Sequence, residues 1–199
     1  MKHLIFLLGK IFVFITLFAG LVTSMCYIIP YFLLDIFVLA SGKEPIFVYV
    51  SKSFLFIPIG LAALVAIPMA IILGLAHYFM VKQVAQGKSF DLSPIQKRTF
   101  VSKSNPRRIL ENCILALQKF PAEIVENNSL QNYITARTST SWKSWGDDIR
   151  IDVVPIDEIN SQVKIICRPA LKTTFVDYGK NYENAEKLTS LINEALQAT

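Results

Sequence analysis

Histidine and cysteine are scarce in this chain, and their scarcity excludes several common kinds of site. His3 and His77 are the only histidines, and neither has a Cys, Asp or Glu nearby in sequence at metal-ligand spacing. The sequence therefore offers no material for a histidine-based zinc site or a histidine general base. Cys26 lies in a long apolar run, while Cys113 and Cys167 fall on predicted core positions, so we expect inert thiols. We expect no metal and no cofactor, and we identify no catalytic residue.

Charge is absent from two long stretches of the first half of the chain. Residues Ile11 to Leu34 and Phe54 to Val81 contain no Asp, Glu, Lys or Arg. At 1.5 Å per helical residue the shorter run reaches about 36 Å, which exceeds the roughly 30 Å thickness of the hydrocarbon core. A cleaved signal peptide is the alternative, but the first run is longer than an apolar signal region and no A-x-A-like site closes it. The sequence predicts two membrane spans, at about 11–34 and 54–81.

Basic residues follow the second run and predict its orientation. Between residues 82 and 108 seven basic residues oppose one acidic residue, Asp91. The positive-inside rule places this segment in the cytoplasm, and Lys2 and Lys10 place the N-terminus on the same side. We therefore expect a multi-pass protein of the inner (plasma) membrane with both termini cytoplasmic. The same residues are expected to contact anionic lipid headgroups: Lys82, Lys88, Lys97, Arg98, Lys103, Arg107 and Arg108.

Nucleic acid is disfavoured as a partner by the distribution of charge. Residues 109–199 contain nine basic and twelve acidic side chains, so the body of the C-terminal half is net acidic. Binding to a phosphate backbone requires a basic surface on the domain itself. We expect a lipid surface, and no nucleic acid, to meet the basic segment.

Small residues recur at every fourth position in both apolar runs. Such stripes let helix backbones approach closely in lipid, where packing drives association. We predict a tight hairpin of the two helices, with a homodimer or a membrane-protein partner as the alternative use of the stripes. The residues concerned are Gly20, Ser24, Ala62, Ala66, Ala70 and Gly74.

The C-terminal half changes from helical to alternating hydrophobic period and back. We predict a hairpin domain at 1–81, a basic linker at 82–104 and a cytoplasmic α+β domain at 105–199. In that domain Asn105 is the predicted N-cap of a first helix, and Asn181 that of a last one. Four short strands lie between them, so we expect an antiparallel sheet with both helices on one face. The predicted strands are Ala122–Glu126, Leu130–Thr138, Ile149–Val154 and Gln162–Arg168.

Three segments of this half carry a resemblance: "AEIVENN", the Asp147-Asp148 turn, and Asp177, Gly179 and Asn181 before the last helix. The layout from Asn105 to Ile192 resembles a bacterial and plastid family of domains of unknown function. The resemblance implies an α+β fold and no particular activity.

Two segments are candidate binding sites. Trp142 and Trp145 precede the Asp147-Asp148 turn and would form a binding edge or enter the membrane interface; the simpler alternative is that they fold back into the core. Asp177, Lys180 and Asn181 would form a polar site at a helix N-terminus, and the simpler alternative is a turn with an N-cap.

The sequence thus favours a membrane-anchored, non-enzymatic binding or scaffold module. One alternative is an accessory subunit of a larger membrane complex. A second is an enzyme for an anionic substrate, which requires Asp147, Asp148, Asp177 and Lys180 to converge on one cleft.

Overall fold

The computed structural model describes residues 2–42 and 56–198 as two units. One unit runs from Met1 to Ala76 and the other from His77 to Thr199. The boundary falls inside a helix, α2, so the second unit begins with the last turns of an apolar helix. That unit is called the domain below.

The first unit contains helix α1, Lys2–Ala40, and the first part of helix α2, Phe56–Ala85. Two stretches of these helices, His3–Thr23 and Ala62–Ala85, are long and apolar enough to cross a membrane. Pro68 lies inside α2 without ending it. The first two residues of the span predicted at 54–81 lie outside the described residues.

The small residues of α2 lie against α1. Ala62, Ala66 and Ala70 are buried. A Cβ atom built on Gly20 would lie 4.0 Å from Cβ of Ala62, and one on Gly74 would meet the side chain of Leu8. The side chain of Ser24 lies outside the described residues. The two helices therefore approach closely along the stripe of small residues.

The domain combines the end of α2 with a five-stranded antiparallel sheet and two further helices. The sheet order is β1-β5-β4-β3-β2. Helix α3 is Pro106–Gln118 and helix α4 is Lys180–Gln197. The strands are β1 Gln96–Ser102, β2 Ala122–Asn128, β3 Tyr133–Thr138, β4 Asp147–Pro155 and β5 Ser161–Pro169.

The prediction of four strands was wrong, because the segment predicted as a linker contains β1. This strand pairs along its whole length with β5, from Gln96 opposite Cys167 to Ser102 opposite Ser161. Its inward-facing residues are mostly polar, and Phe100 is the one large apolar residue among them. An edge strand tolerates such a composition, since charge protects an open edge. The alternation of apolar residues that reveals a strand in sequence is therefore missing.

The core lies between one face of the sheet and helices α3 and α4, as predicted. Ile134, Ile151 and Ile165 point inward from the three central strands and are fully buried with Ile109 and Leu188 of the helices. Helix α3 begins as expected, because Asn105 accepts a hydrogen bond from the backbone N–H of Arg108 at 2.9 Å.

Two of the three cysteines belong to this core. Cys113 of α3 and Cys167 of β5 are both buried. Burial raises the pKa of each thiol to about 12, so neither forms a reactive thiolate at neutral pH.

Strand β2 forms the other edge of the sheet and is irregular. Its register with β3 shifts between Ile124 and Glu126, which leaves Val125 as an extra, exposed residue. Glu123 and Glu126 are exposed on the same strand. A bulge with charged neighbours twists an edge strand away from flat pairing.

Candidate functional site

A buried carboxylate, Asp147, begins strand β4 and points toward the helices. The preceding residue, Gly146, has φ +96°, and a Cβ atom there would lie 2.9 Å from the carbonyl oxygen of Thr138. Only glycine fits this turn, because a side chain meets both strain and backbone. The turn is closed by a hydrogen bond from the backbone N–H of Asp147 to Oγ1 of Thr138 at 2.9 Å.

Four side chains donate hydrogen bonds to the carboxylate of Asp147. Ser144 Oγ donates at 2.6 Å, Asn184 Nδ2 at 3.0 Å, Asn181 Nδ2 at 3.2 Å and Thr138 Oγ1 at 3.4 Å. Burial raises the pKa of Asp147, and the charge of Asp177 adds to the rise, while the hydrogen bond from Ser144 opposes it. These donors are all neutral, and their hydrogen bonds offset only part of the cost of burying the charge of Asp147.

The second carboxylate, Asp177, caps helix α4. Its Oδ1 accepts from the backbone N–H of Gly179 at 3.1 Å, and its Oδ2 accepts from the backbone N–H of Asn181 at 2.9 Å. The helix begins at Lys180, so the prediction that Asn181 is the N-cap was wrong. The N-cap position is Gly179, and the backbone N–H of Asn181 in the first turn already donates to the side chain of Asp177. The side chain of Asn181 is thereby free to turn inward.

Asn181 bridges the two carboxylates. Its Nδ2 lies 3.0 Å from Oδ2 of Asp177 and 3.2 Å from Oδ1 of Asp147. Because carboxylate oxygens only accept, this geometry fixes which end of the amide faces them. Oδ1 of Asn181 is buried and has no hydrogen-bond partner among the described residues.

His77 brings helix α2 to the same place. Its Nε2 lies 3.0 Å from the carbonyl oxygen of Leu92, and because a carbonyl only accepts, Nε2 carries a proton. Its Nδ1 lies 3.6 Å from Oδ1 of Asp177 and has no hydrogen-bond partner among the described residues. The ring is fully buried. The end of α2 therefore meets the cap of α4 through a histidine and a carboxylate.

The chain also packs closely at Gly179, next to that cap. Gly179 has φ +76°, and a Cβ atom on it would lie 3.3 Å from Cα of Val81. Val81 and Ala85, one and two turns after His77, are buried as well. A glycine is thus needed both for the turn before α4 and for the approach of α2.

The five residues His77, Asp147, Asp177, Asn181 and Asn184 form what we call the buried polar cluster. Each is at most 2% exposed. They join the end of α2, strand β4 and helix α4. Within the described ranges, no three His, Cys, Asp or Glu side chains are grouped closely enough to hold a metal ion. The hydrogen bonds and contacts of the cluster hold the end of α2, strand β4 and helix α4 together.

The other predicted site residues lie outside this cluster. Trp142 and Trp145 are 75% and 76% exposed, so the simpler expectation that they join the core was wrong. Lys180 Nζ lies 3.7 Å from Oε2 of Glu183 on its own helix. Asp148, the neighbour of Asp147, points to the open face of the sheet and pairs with Arg137 at 2.7 Å. Neighbouring strand residues face opposite ways, which separates the two aspartates.

The basic residues predicted to contact lipid are distributed along β1. Lys82 and Lys88 precede the strand, whereas Lys103 follows it, and seven strand residues span roughly 20 Å. Most of the seven basic side chains are exposed. Arg98 is the exception, because it is half-buried, pairs with Glu186 at 2.6 Å and lies over the ring of Tyr182.

Sequence reasoning missed His77 and Asn184. The available signal was a lone histidine in an apolar helical run, which needs a buried partner, but that partner is one hundred residues further along the chain. No spacing rule connects such positions. Asn184 lies one turn after Asn181 and faces the same side of α4, which becomes informative only once the start of that helix is known.

The fold and the cluster define an α+β domain joined directly to an apolar helix. Comparison with protein-family models, with curated proteins and with solved structures found no match to the chain. The resemblance of residues 105–192 to a bacterial and plastid family of domains therefore stays a prediction.

Proposed function

We propose that this protein is a membrane-anchored binding or scaffold module without enzymatic activity of its own. In this proposal α1 and α2 cross the inner membrane as a hairpin, and the domain lies on the cytoplasmic side. The observation that carries it is the burial of His77, Val81 and Ala85 in the domain at the end of an apolar helix. The last turns of α2 are thus part of the domain's own packing.

The exposed surface of the two helices supports the anchoring. Within the stretches His3–Thr23 and Ala62–Ala85, only 17% and 28% of an apolar 18-residue segment are buried within the protein. A helix at the core of a soluble protein is mostly buried, whereas a lipid-facing helix exposes large apolar side chains. Leu17, Phe18 and Leu64 are examples of such exposed residues.

The length of α2 supports it as well. Residues 56–76 precede the domain and number twenty-one, which at 1.5 Å per residue is about 32 Å, close to the thickness of the hydrocarbon core. The excess of basic residues between 82 and 108 favours a cytoplasmic position for the domain.

The positions of the charged residues favour a binding module over the enzyme alternative. The enzyme needs Asp147, Asp148, Asp177 and Lys180 on one cleft, but Asp148 faces the open side of the sheet and Lys180 pairs with Glu183. Asp147 and Asp177 do lie together, but both are buried and occupied by hydrogen bonds. Holding the helix to the domain accounts for these contacts.

Cysteine labelling tests the anchoring and its orientation. In a Cys26→Ser background, Cys113 and Cys167 stay unreactive because their buried thiols have a pKa of about 12. Ser41→Cys, in the exposed turn after α1, should react with a membrane-impermeant maleimide in intact cells. Leu130→Cys, in the domain, should react only after lysis. Labelling of Leu130→Cys before lysis would overturn the orientation, and release of the protein by alkaline carbonate would overturn the anchoring.

Lipid contact has a separate test on the fragment 77–199. Each exposed basic residue near an anionic surface contributes about 1 kcal/mol, screened over a Debye length of about 8 Å. The fragment should bind phosphatidylglycerol vesicles in low salt and dissociate in high salt. Lys103→Glu should weaken binding more than Lys164→Glu, a matched charge reversal on the sheet. Equal losses of vesicle binding would show that the basic residues beside β1 make no special contact with lipid.

Purification distinguishes the accessory-subunit alternative from a stand-alone binding module. A dedicated subunit brings partners in stoichiometric amount from mild detergent, whereas a module with transient ligands purifies alone. Stoichiometric partners would replace the proposed stand-alone role.

A further inference from the structure

The only two tryptophans of the chain lie in one loop, between β3 and β4, and both are exposed. Trp142 and Trp145 are separated by Lys143 and Ser144. Tryptophan combines a large apolar surface with a single polar N–H, and exposing two of them to water on one loop is unfavourable. The loop therefore presents a surface with no cover in the described part of the chain.

The loop is fixed to the end of the domain where α2 enters. Ser144 donates a hydrogen bond to Asp147, and Lys143 Nζ lies 3.8 Å from Oε2 of Glu183 in the first turn of α4. Asp147 is joined through Asn181 to Asp177, which faces His77. The tryptophans and the entry point of α2 thus share one end of the domain.

Other aromatic residues lie at that entry point. Tyr78 and Phe79 directly follow His77, and the ring of Phe90 lies 5.8 Å from that of Tyr78. Phe79 is exposed. Lys143 Nζ lies 5.3 Å from the ring centre of Trp142. Tryptophan, tyrosine and lysine together are the composition found at membrane–water interfaces, where rings sit at headgroup level and lysine reaches the polar region.

We propose that the loop carrying Trp142 and Trp145 inserts into the interfacial region of the membrane that α2 enters. This inference rests on the anchoring proposed above. Residues 56–76 of α2 extend over about 32 Å, close to one bilayer thickness, and the uncharged run continues to Val81, so in that proposal the headgroup region lies near the turns of α2 that begin the domain. Lipid is the occupant favoured over a protein, because the chain itself brings this surface to the interface.

The two tryptophans are also the probe, since they are the only ones in the chain. The full-length protein is reconstituted in phosphatidylcholine and phosphatidylglycerol vesicles, with or without lipids brominated near the headgroup end of their acyl chains. Trp142→Phe and Trp145→Phe each leave a single reporter. The matched control is Leu130→Trp in the double Phe background. Leu130 is 95% exposed in the β2–β3 turn, at the other end of β3 and about 20 Å away.

We expect a blue-shifted emission for both single reporters, loss of emission in brominated lipid and protection from acrylamide. The Leu130→Trp control should be insensitive to brominated lipid and fully quenched by acrylamide. The inference is overturned if the native tryptophans behave like the control in these vesicles. Protection from acrylamide in native membranes alone would point to a protein partner and would overturn it too. Carbonate extraction of the same vesicles separates the two proposals. Protein that stays in the membrane while its tryptophans are not quenched by brominated lipid would refute insertion of the loop but not anchoring by the helices.

Discussion

The two units of this protein bury opposite kinds of residue. The helical hairpin buries alanine and glycine at its contact and exposes leucine and phenylalanine, whereas the domain buries isoleucine and leucine and exposes charge. In water the second arrangement is stable, because large apolar side chains leave the solvent. In lipid the first is stable, because close backbone packing is the main gain. The boundary between the two patterns lies at Ala76 and His77, inside one helix.

Removing β1 and the end of α2 from the domain should cause the largest loss of stability. The fragment 77–199 contains the whole domain and should give a cooperative urea transition. The fragment 104–199 lacks β1 and His77, which opens the edge of β5 and leaves Asp177 without the imidazole. The loss should be of the order of the whole stability, about 5–15 kcal/mol. Circular dichroism and gel filtration are the measurements, and a well-folded monomer of 104–199 would contradict the assignment of β1 to the domain.

Removing the amide that bridges the two carboxylates should be the next largest effect. Asn181→Leu leaves Asp147 and Asp177 buried with fewer donors, and breaking such a network costs about 3–5 kcal/mol. Urea unfolding of the 77–199 fragment measures this. Asn193→Ala, an exposed position on the same helix, is the control and should change stability by less than about 0.5 kcal/mol. Similar values for both variants would deny the cluster a structural role.

A third change tests the small-residue contact of the hairpin. Gly20→Cys with Ala62→Cys, in the Cys26→Ser background, should form a disulfide in membranes, since the two Cβ positions are 4.0 Å apart. Adding Ala66→Leu should reduce crosslinking, because overfilling a tight contact costs about 1–3 kcal/mol. Leu64→Ala, on the exposed side, should leave crosslinking unchanged. The yield of internal disulfide on non-reducing gels decides between them.

The smallest effect concerns pH. Burial raises the pKa of Asp147 above its ordinary value of 3.8, so the folded chain takes up this proton more readily than the unfolded chain. Its contribution to stability is therefore greatest in acid and falls as pH rises through the folded-state pKa. Asp147→Asn cannot titrate, so wild-type stability relative to the variant should decline between acid and neutral pH. A difference that stays constant across that range would contradict the raised pKa.

The sequence predicted the elements whose pattern is local. Asn105 and Pro106 indicate a helix start, and the alternation in β4 and β5 predicts both strands to within two residues at either end. Strand β1 was not predicted because its inward-facing residues are mostly polar. Only its pairing with β5, which is distant in sequence, identifies it as a strand. The sequence predicts a polar site at Asp177 and Asn181 but not its partners. The contacts that these two residues make with Asp147 and His77 join positions that are distant in sequence.

The irregular edge strand β2 has a consequence for a protein held on a surface. Tethering confines molecules to two dimensions, so open sheet edges of neighbouring copies meet more often than in free solution. The register shift at Ile124 and Glu126, with Glu123 beside it, interrupts the regular row of N–H and C=O groups that another chain would extend. On the opposite edge, exposed Lys97 of β1 adds charge. On the proposed anchoring, these domains should resist joining edge to edge into fibrils even when they are crowded on a membrane.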